Sequence, residues 1–162
     1  MSIKEQLTAD QWKTLFNAPS AASTYVAAAS GGGMEMFKEM FSASKFMAEI
    51  AGQKEGSGYG KLVDDFIAAI KGMGPKDAMA ESIKYTAKDP AGIRAEAKQI
   101  VANAATIAAG LPDGDGYKRW LLDMVRKVAE TKTGGMLGIG GSSVIDEKEQ
   151  AALDELASMM GL

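Results

Sequence analysis

The side chains in this chain that could do chemistry are its carboxylates, lysines, tyrosines and hydroxyls, because the sequence contains no histidine and no cysteine. Those two absences exclude Ser-His-Asp and Cys-His nucleophile systems, thiol redox chemistry, and zinc sites built on His or Cys. The most suggestive acidic spacing is Asp113-Gly114-Asp115-Gly116, since oxygen ligands two residues apart are how a calcium loop begins. Counting on from Asp113, the fifth position is Tyr117, the sixth is Lys118 where glycine is required, and the twelfth is Met124. The EF-hand pattern therefore fails. A turn at Pro112-Asp113-Gly114, with Asp113 or Asp115 capping the helix around Trp120, accounts for the same residues. The candidate ligands for Ca²⁺ or Mg²⁺ are Asp113, Asp115, Asp146 and Glu149, and the first pair needs a distant carboxylate to converge on it.

Other acids form no obvious pair. Asp64 and Asp65 are adjacent, so on a helix they point about 100° apart. Asp146, Glu147 and Glu149 cluster in what reads as a first helical turn, where the helix dipole favours negative charge. General acid–base catalysis needs two carboxylates that converge, one of them with its pKa raised by burial. Nothing in the pattern buries an acid, so a carboxylate-dependent hydrolase stays a secondary alternative and no catalytic residue is assigned.

Two glycine-rich stretches invite a phosphate reading. Gly56-Ser57-Gly58-Tyr59-Gly60-Lys61 lacks the spacing and the Ser/Thr of a P-loop, and Gly138-Ile139-Gly140-Gly141 lacks the third glycine of a dinucleotide fingerprint. Both motifs depend on a strand that leads into a helix and aims backbone N–H groups at phosphate; no strand precedes either stretch. The second stretch is unusual for another reason. Met136, Leu137 and Ile139 stand among five glycines between Gly134 and Gly141, a choice that neither helix propensity nor solubility favours. Those three side chains either plug a gap in the fold or are presented to a partner. The eleven methionines admit the same two readings, core packing or an adaptable binding face.

The elements that must position these residues are helices. Thr8 and Gln11 form a capping box ahead of Trp12, Leu15 and Phe16. Pro19-Ser20 then opens a second, alanine-rich helix ending at Gly31-Gly32-Gly33. An apolar stripe over Phe37–Met47 follows, then one of Leu62, Val63, Phe66, Ile67 and Ile70. Pro75 starts a short helix carrying Met79 and Ile83, and Asp89-Pro90 caps and starts a longer one with Ile93, Ala97, Ile100, Val101, Ala104, Ile107 and Ala108. Tyr117, Trp120, Leu121, Met124, Val125 and Val128 mark a helix from 117 to 131, and Leu153, Leu156, Ala157 and Met160 the last. No segment alternates as a strand would.

The chain is a single domain's worth at 162 residues, with a net charge of −3. Only Lys148 offsets five acids after residue 132, so the body is balanced and the last segment acidic. That balance, with only three arginines (Arg94, Arg119 and Arg126), gives no reason to expect nucleic acid as a partner. No apolar run reaches the length of a membrane span, and the first residues lack the apolar region of a signal peptide. A cytoplasmic location is expected.

The segments Trp12-x2-Leu15-x3-Pro19, Ala29–Gly33, Gly134–Gly141, Val144 and Glu149-x3-Leu153 resemble those of small, uncharacterised bacterial helical proteins. They are also similar to the TerB-like group associated with tellurite resistance, whose helices follow loops of the type Asp-Gly-x-Val/Ile-x3-Glu. That resemblance implies a helical bundle, an association with stress response, and a divalent metal. Val144 or Ile145 with Glu149 fits the pattern; the aspartate ahead of the glycine is missing.

The sequence thus predicts an all-α, single-domain bundle of about seven helices over residues 1–162. Its expected function is a non-enzymatic interaction or stress-associated module with no cofactor, binding a protein partner or itself through Met136, Leu137 and Ile139. A divalent-cation-binding protein is the alternative.

Overall fold

The computed structural model describes residues 2–29, 50, 52–53, 56, 58–135 and 147–162. Among the described residues the chain is all-α, with seven helices and no strand. They are α1 (Ile3–Gln6), α2 (Ala9–Ala29), α3 (Lys61–Lys71), α4 (Pro75–Glu81), α5 (Pro90–Ala109), α6 (Gly114–Gly135) and α7 (Glu147–Met159). The stripe expected over Phe37–Met47 lies outside the described residues.

The central element is α2, which packs most extensively against α5 and also against α6 and α7. It begins where the capping box places it: the Thr8 amide donates to Gln11 Oε1 at 2.9 Å, and the Gln11 amide to Thr8 Oγ1 at 3.2 Å. It does not break at Pro19, as the sequence leads one to expect, but runs on as one helix. Proline in a helix interior withholds the N–H that the carbonyl four residues earlier would accept. That carbonyl belongs to Leu15, and the buried Tyr117 hydroxyl on α6 donates to it at 2.8 Å. A side chain from another helix thus replaces the missing amide. Beyond Pro19 the small buried residues Ala21, Ala22 and Ala27 let neighbouring helices approach on several sides, so residues 21–27 of α2 are buried all round, the polar Ser23 and Thr24 included.

The other helices follow their patterns closely. All five residues of the α3 stripe are buried, as are Ile93, Ala97, Val101, Ala104 and Ala108 of α5, while Ile100 and Ile107 of the expected α5 stripe are only partly buried against the core. Asp89 caps α5 by accepting from the Gly92 amide at 3.0 Å, with Pro90 in the first turn. On α4 the buried residue is Ala78, whereas Met79 is exposed and Ile83 follows the helix end. Trp12, Phe66, Tyr117 and Trp120 form the aromatic centre, with Phe66 5.5 Å from Trp12 and meeting Tyr117 and Trp120 edge-on. No described helix is long and apolar enough to cross a membrane.

Candidate functional site

The sequence-predicted residues fall in different parts of the fold. Met136, Leu137, Ile139 and Asp146 lie outside the described residues. Asp113 and Asp115 stand at the corner between α5 and α6, and Glu149 is buried in the first turn of α7. Its burial runs against the expectation that no acid is enclosed: Glu149 shares a turn with Ala152 and Leu153, which face the core. Among the described residues no three acids gather as a metal cage would need.

The corner puts Asp113 to structural use on two helices, its backbone on the one expected and its side chain on another. Its backbone has φ of 60°, a left-handed conformation that Asp tolerates better than most residues. Its Oδ2 accepts from the Lys61 amide at 3.0 Å, so the side chain caps α3, while the Asp113 carbonyl accepts from the Tyr117 amide at 3.2 Å at the start of the Trp120 helix. The ordinary N-cap of α3 is Gly60, which has no side chain to do this. The two glycines of the motif are contact points. A Cβ on Gly114 would stand 1.7 Å from the Ala108 carbonyl oxygen, and one on Gly116 would stand 1.6 Å from that of Tyr59. Tyr59, Asp113, Asp115 and Arg119 border a cleft of about 340 Å³ there. The Tyr59 hydroxyl donates to Asp123 at 2.6 Å, and that bond, then burial, pushes its pKa up to about 12.

A second polar cluster forms where the end of α2, the first half of α5 and the face of α7 meet. Tyr25 is buried on α2, and its hydroxyl donates to Glu155 Oε2 on α7. Lys98 of α5 donates to the other oxygen of the same carboxylate. One turn earlier on α5, Arg94 lies over the Tyr25 ring with its guanidinium carbon 4.2 Å from the centroid. Its Nε donates to the Tyr25 carbonyl at 3.4 Å, and its Nη2 stands 4.0 Å from Glu155 Oε2. Arg94, Lys98 and Glu155, with the small residues Ala28, Ala91 and Ala95, line an open cleft of about 440 Å³. That volume lies within the range of small-molecule sites.

Arg94 and Lys98 share a face with Ala91 and Ala95 through the three- and four-residue spacing of a helix. The sequence shows this basic pair one turn apart among alanines, yet gives no sign that Tyr25 and Glu155 join it. Burial, and then the bond to Glu155, push the Tyr25 hydroxyl up to about 12. The Lys98 and Tyr25 hydrogen bonds hold the Glu155 carboxyl below its ordinary range. At neutral pH the cluster thus presents a fixed phenol, a fixed carboxylate and two cations. Its phenol and carboxylate are both shifted away from neutrality, which suits binding better than proton transfer.

In comparisons with known proteins no family model matches the chain, and no curated protein or solved structure does either.

Proposed function

We propose that this protein is a non-enzymatic binding module, holding a protein partner by that partner's acidic side chains at the junction of α2, α5 and α7. The observation that carries this reading is the Arg94 guanidinium, held in place by the Tyr25 ring and carbonyl yet facing an open cleft. The local charge favours the same partner, since two cations share one carboxylate. Within this reading the protein acts in the cytoplasm as a stress-associated module, and an all-helical architecture is what a TerB-like relationship would require.

A fluorescent oligoglutamate peptide is the direct probe. Anisotropy should show saturable binding that weakens about tenfold or more when Arg94 and Lys98 are both replaced by alanine, the loss expected for charge-assisted hydrogen bonds. Equal binding by the variant and the parent chain overturns the reading. Sedimentation velocity on the protein alone separates the remaining occupant: a dimer dissolved by the same double substitution makes a second copy, through its acidic α7, the partner instead.

A further inference from the structure

We infer that the outer edge of Arg94 is a receptor for a single carboxylate on a short apolar stem, with Glu155 as its built-in competitor. This rests on the reading that the α2–α5–α7 junction binds, and adds what it binds and what limits it. An arginine side chain carries five N–H donors in a planar fork. Among the described residues Arg94 makes one hydrogen bond, through Nε to the Tyr25 carbonyl. Its Nη2 is 4.0 Å from Glu155 Oε2, an ion-pair separation too long for a hydrogen bond. The terminal N–H groups are therefore oriented but not hydrogen-bonded. Stacking on Tyr25 removes much of the side-chain freedom that a ligand would otherwise have to freeze.

The chemistry of the ligand follows from the surroundings. Two parallel N–H groups of a guanidinium match the two oxygens of a carboxylate. Phosphate offers the same pair of oxygens but carries on average more than one negative charge at neutral pH. Lys98 is hydrogen-bonded to Glu155 and Arg94 is ion-paired with it only at 4.0 Å, so a second anion meets one cation with unused donors and one nearby carboxylate, which favours a monoanion. The walls beside Arg94 are Ala28, Pro90, Ala91 and Ala95, small and apolar, with room for two or three methylene groups. A glutamate side chain and a free short-chain acid both have this form.

Nitrogen-15 NMR of the Arg94 Nε–H signal tests the inference on the intact protein, with propionate, butyrate and inorganic phosphate as probes. Propionate and butyrate should shift the signal saturably, phosphate at least about tenfold more weakly, with tenfold corresponding to 1.4 kcal/mol. Arg94→Lys keeps the charge but loses the fork, and should abolish the preference for carboxylate over phosphate in a thermal-shift assay. Glu155→Gln removes the competing charge and should tighten propionate binding by about threefold to tenfold. Phosphate binding as tightly as propionate overturns the ligand class, and weaker binding to Glu155→Gln overturns the competitor role. If the oligoglutamate peptide binds at this junction but propionate and butyrate leave Arg94 unmoved, the inference falls and the binding-module reading stands. If the small acids bind and the peptide does not, the inference stands, free short-chain acids are the ligand source, and the protein-partner reading falls.

Discussion

Tyr117 and Tyr25 are both buried tyrosines with hydrogen-bonded hydroxyls, and the two regions around them treat polar groups in opposite ways. Tyr117 sits in the aromatic centre and donates to the Leu15 carbonyl, a group that Pro19 leaves without its helical partner. That region is closed, and burial raises the phenol far above its ordinary pKa. Tyr25 reaches outward to Glu155, a half-exposed carboxylate shared with Lys98, and its ring carries the Arg94 guanidinium. The first hydroxyl repairs an internal defect; the second helps hold cationic groups at an open cleft. The difference separates a polar group that the fold itself needs from one that leaves donors available to something outside.

The largest expected effect breaks the closed region through its seat. Gly116 precedes Tyr117, and its Cα lies so close to the Tyr59 carbonyl that an added Cβ would sit 1.6 Å from the oxygen. The obstacle is backbone, which cannot swing aside as a flexible side chain can. Gly116→Ala should therefore destabilise the protein by about 3 kcal/mol, the upper part of the overpacking range, read by urea denaturation. Gly72→Ala is the control, because a Cβ there makes only ordinary contacts and its φ is −80°; it should change stability by less than about 0.5 kcal/mol. Equal stability for both variants would show that α6 is not seated by that contact.

A smaller effect isolates the repair itself. Tyr117→Phe leaves the ring packing intact and deprives the Leu15 carbonyl of its donor, which should cost about 1–3 kcal/mol. Pro19→Ala restores an amide that can donate to the same carbonyl, so in that background the loss from Tyr117→Phe should shrink by about 1 kcal/mol. Such a coupling is what a double-mutant cycle measures for groups sharing one partner. Additive losses would mean that the hydroxyl and the missing amide do not serve the same carbonyl.

These pairs also show where the sequence becomes hard to read. The Thr8–Gln11 box, the α3 stripe and the Asp89-Pro90 start are local, encoded within a turn or two of helix, and all three were legible. The continuity of α2 through Pro19 was not, because the compensating hydroxyl lies 102 residues from Leu15. Asp113 was legible as a capping residue, yet the helix its side chain caps begins 52 residues earlier, where Gly60 has no side chain to fill the role. At the α2–α5–α7 junction the pair Arg94 and Lys98 is visible as one helical face. Tyr25 and Glu155 come from other helices, and only packing brings them to it. Glu149 was read as a dipole-favoured acid of a first turn, but it lies on the core-facing side of that turn, while Glu147, Lys148 and Gln150 are exposed.

The smallest effect concerns the open region alone. Glu155 has its carboxyl held below the ordinary value of 4.5, first by the Lys98 hydrogen bond and then by that of Tyr25. A carboxylate whose pKa is depressed by folding contributes stability above its unfolded pKa, and loses that contribution as the pH falls through its folded pKa. The Glu155 contribution should therefore be complete at neutral pH and fade below about pH 4.5, by the linkage between ionisation and folding. With its side chain 45% exposed, solvent screening keeps it to less than about 1 kcal/mol. Glu155→Gln should accordingly lower the melting temperature slightly at pH 7 and converge with the parent chain in acid. A constant gap across that range would mean that Glu155 contributes through packing rather than charge. It would also leave no electrostatic ground for its competition at Arg94, because the same negative charge is responsible for both effects.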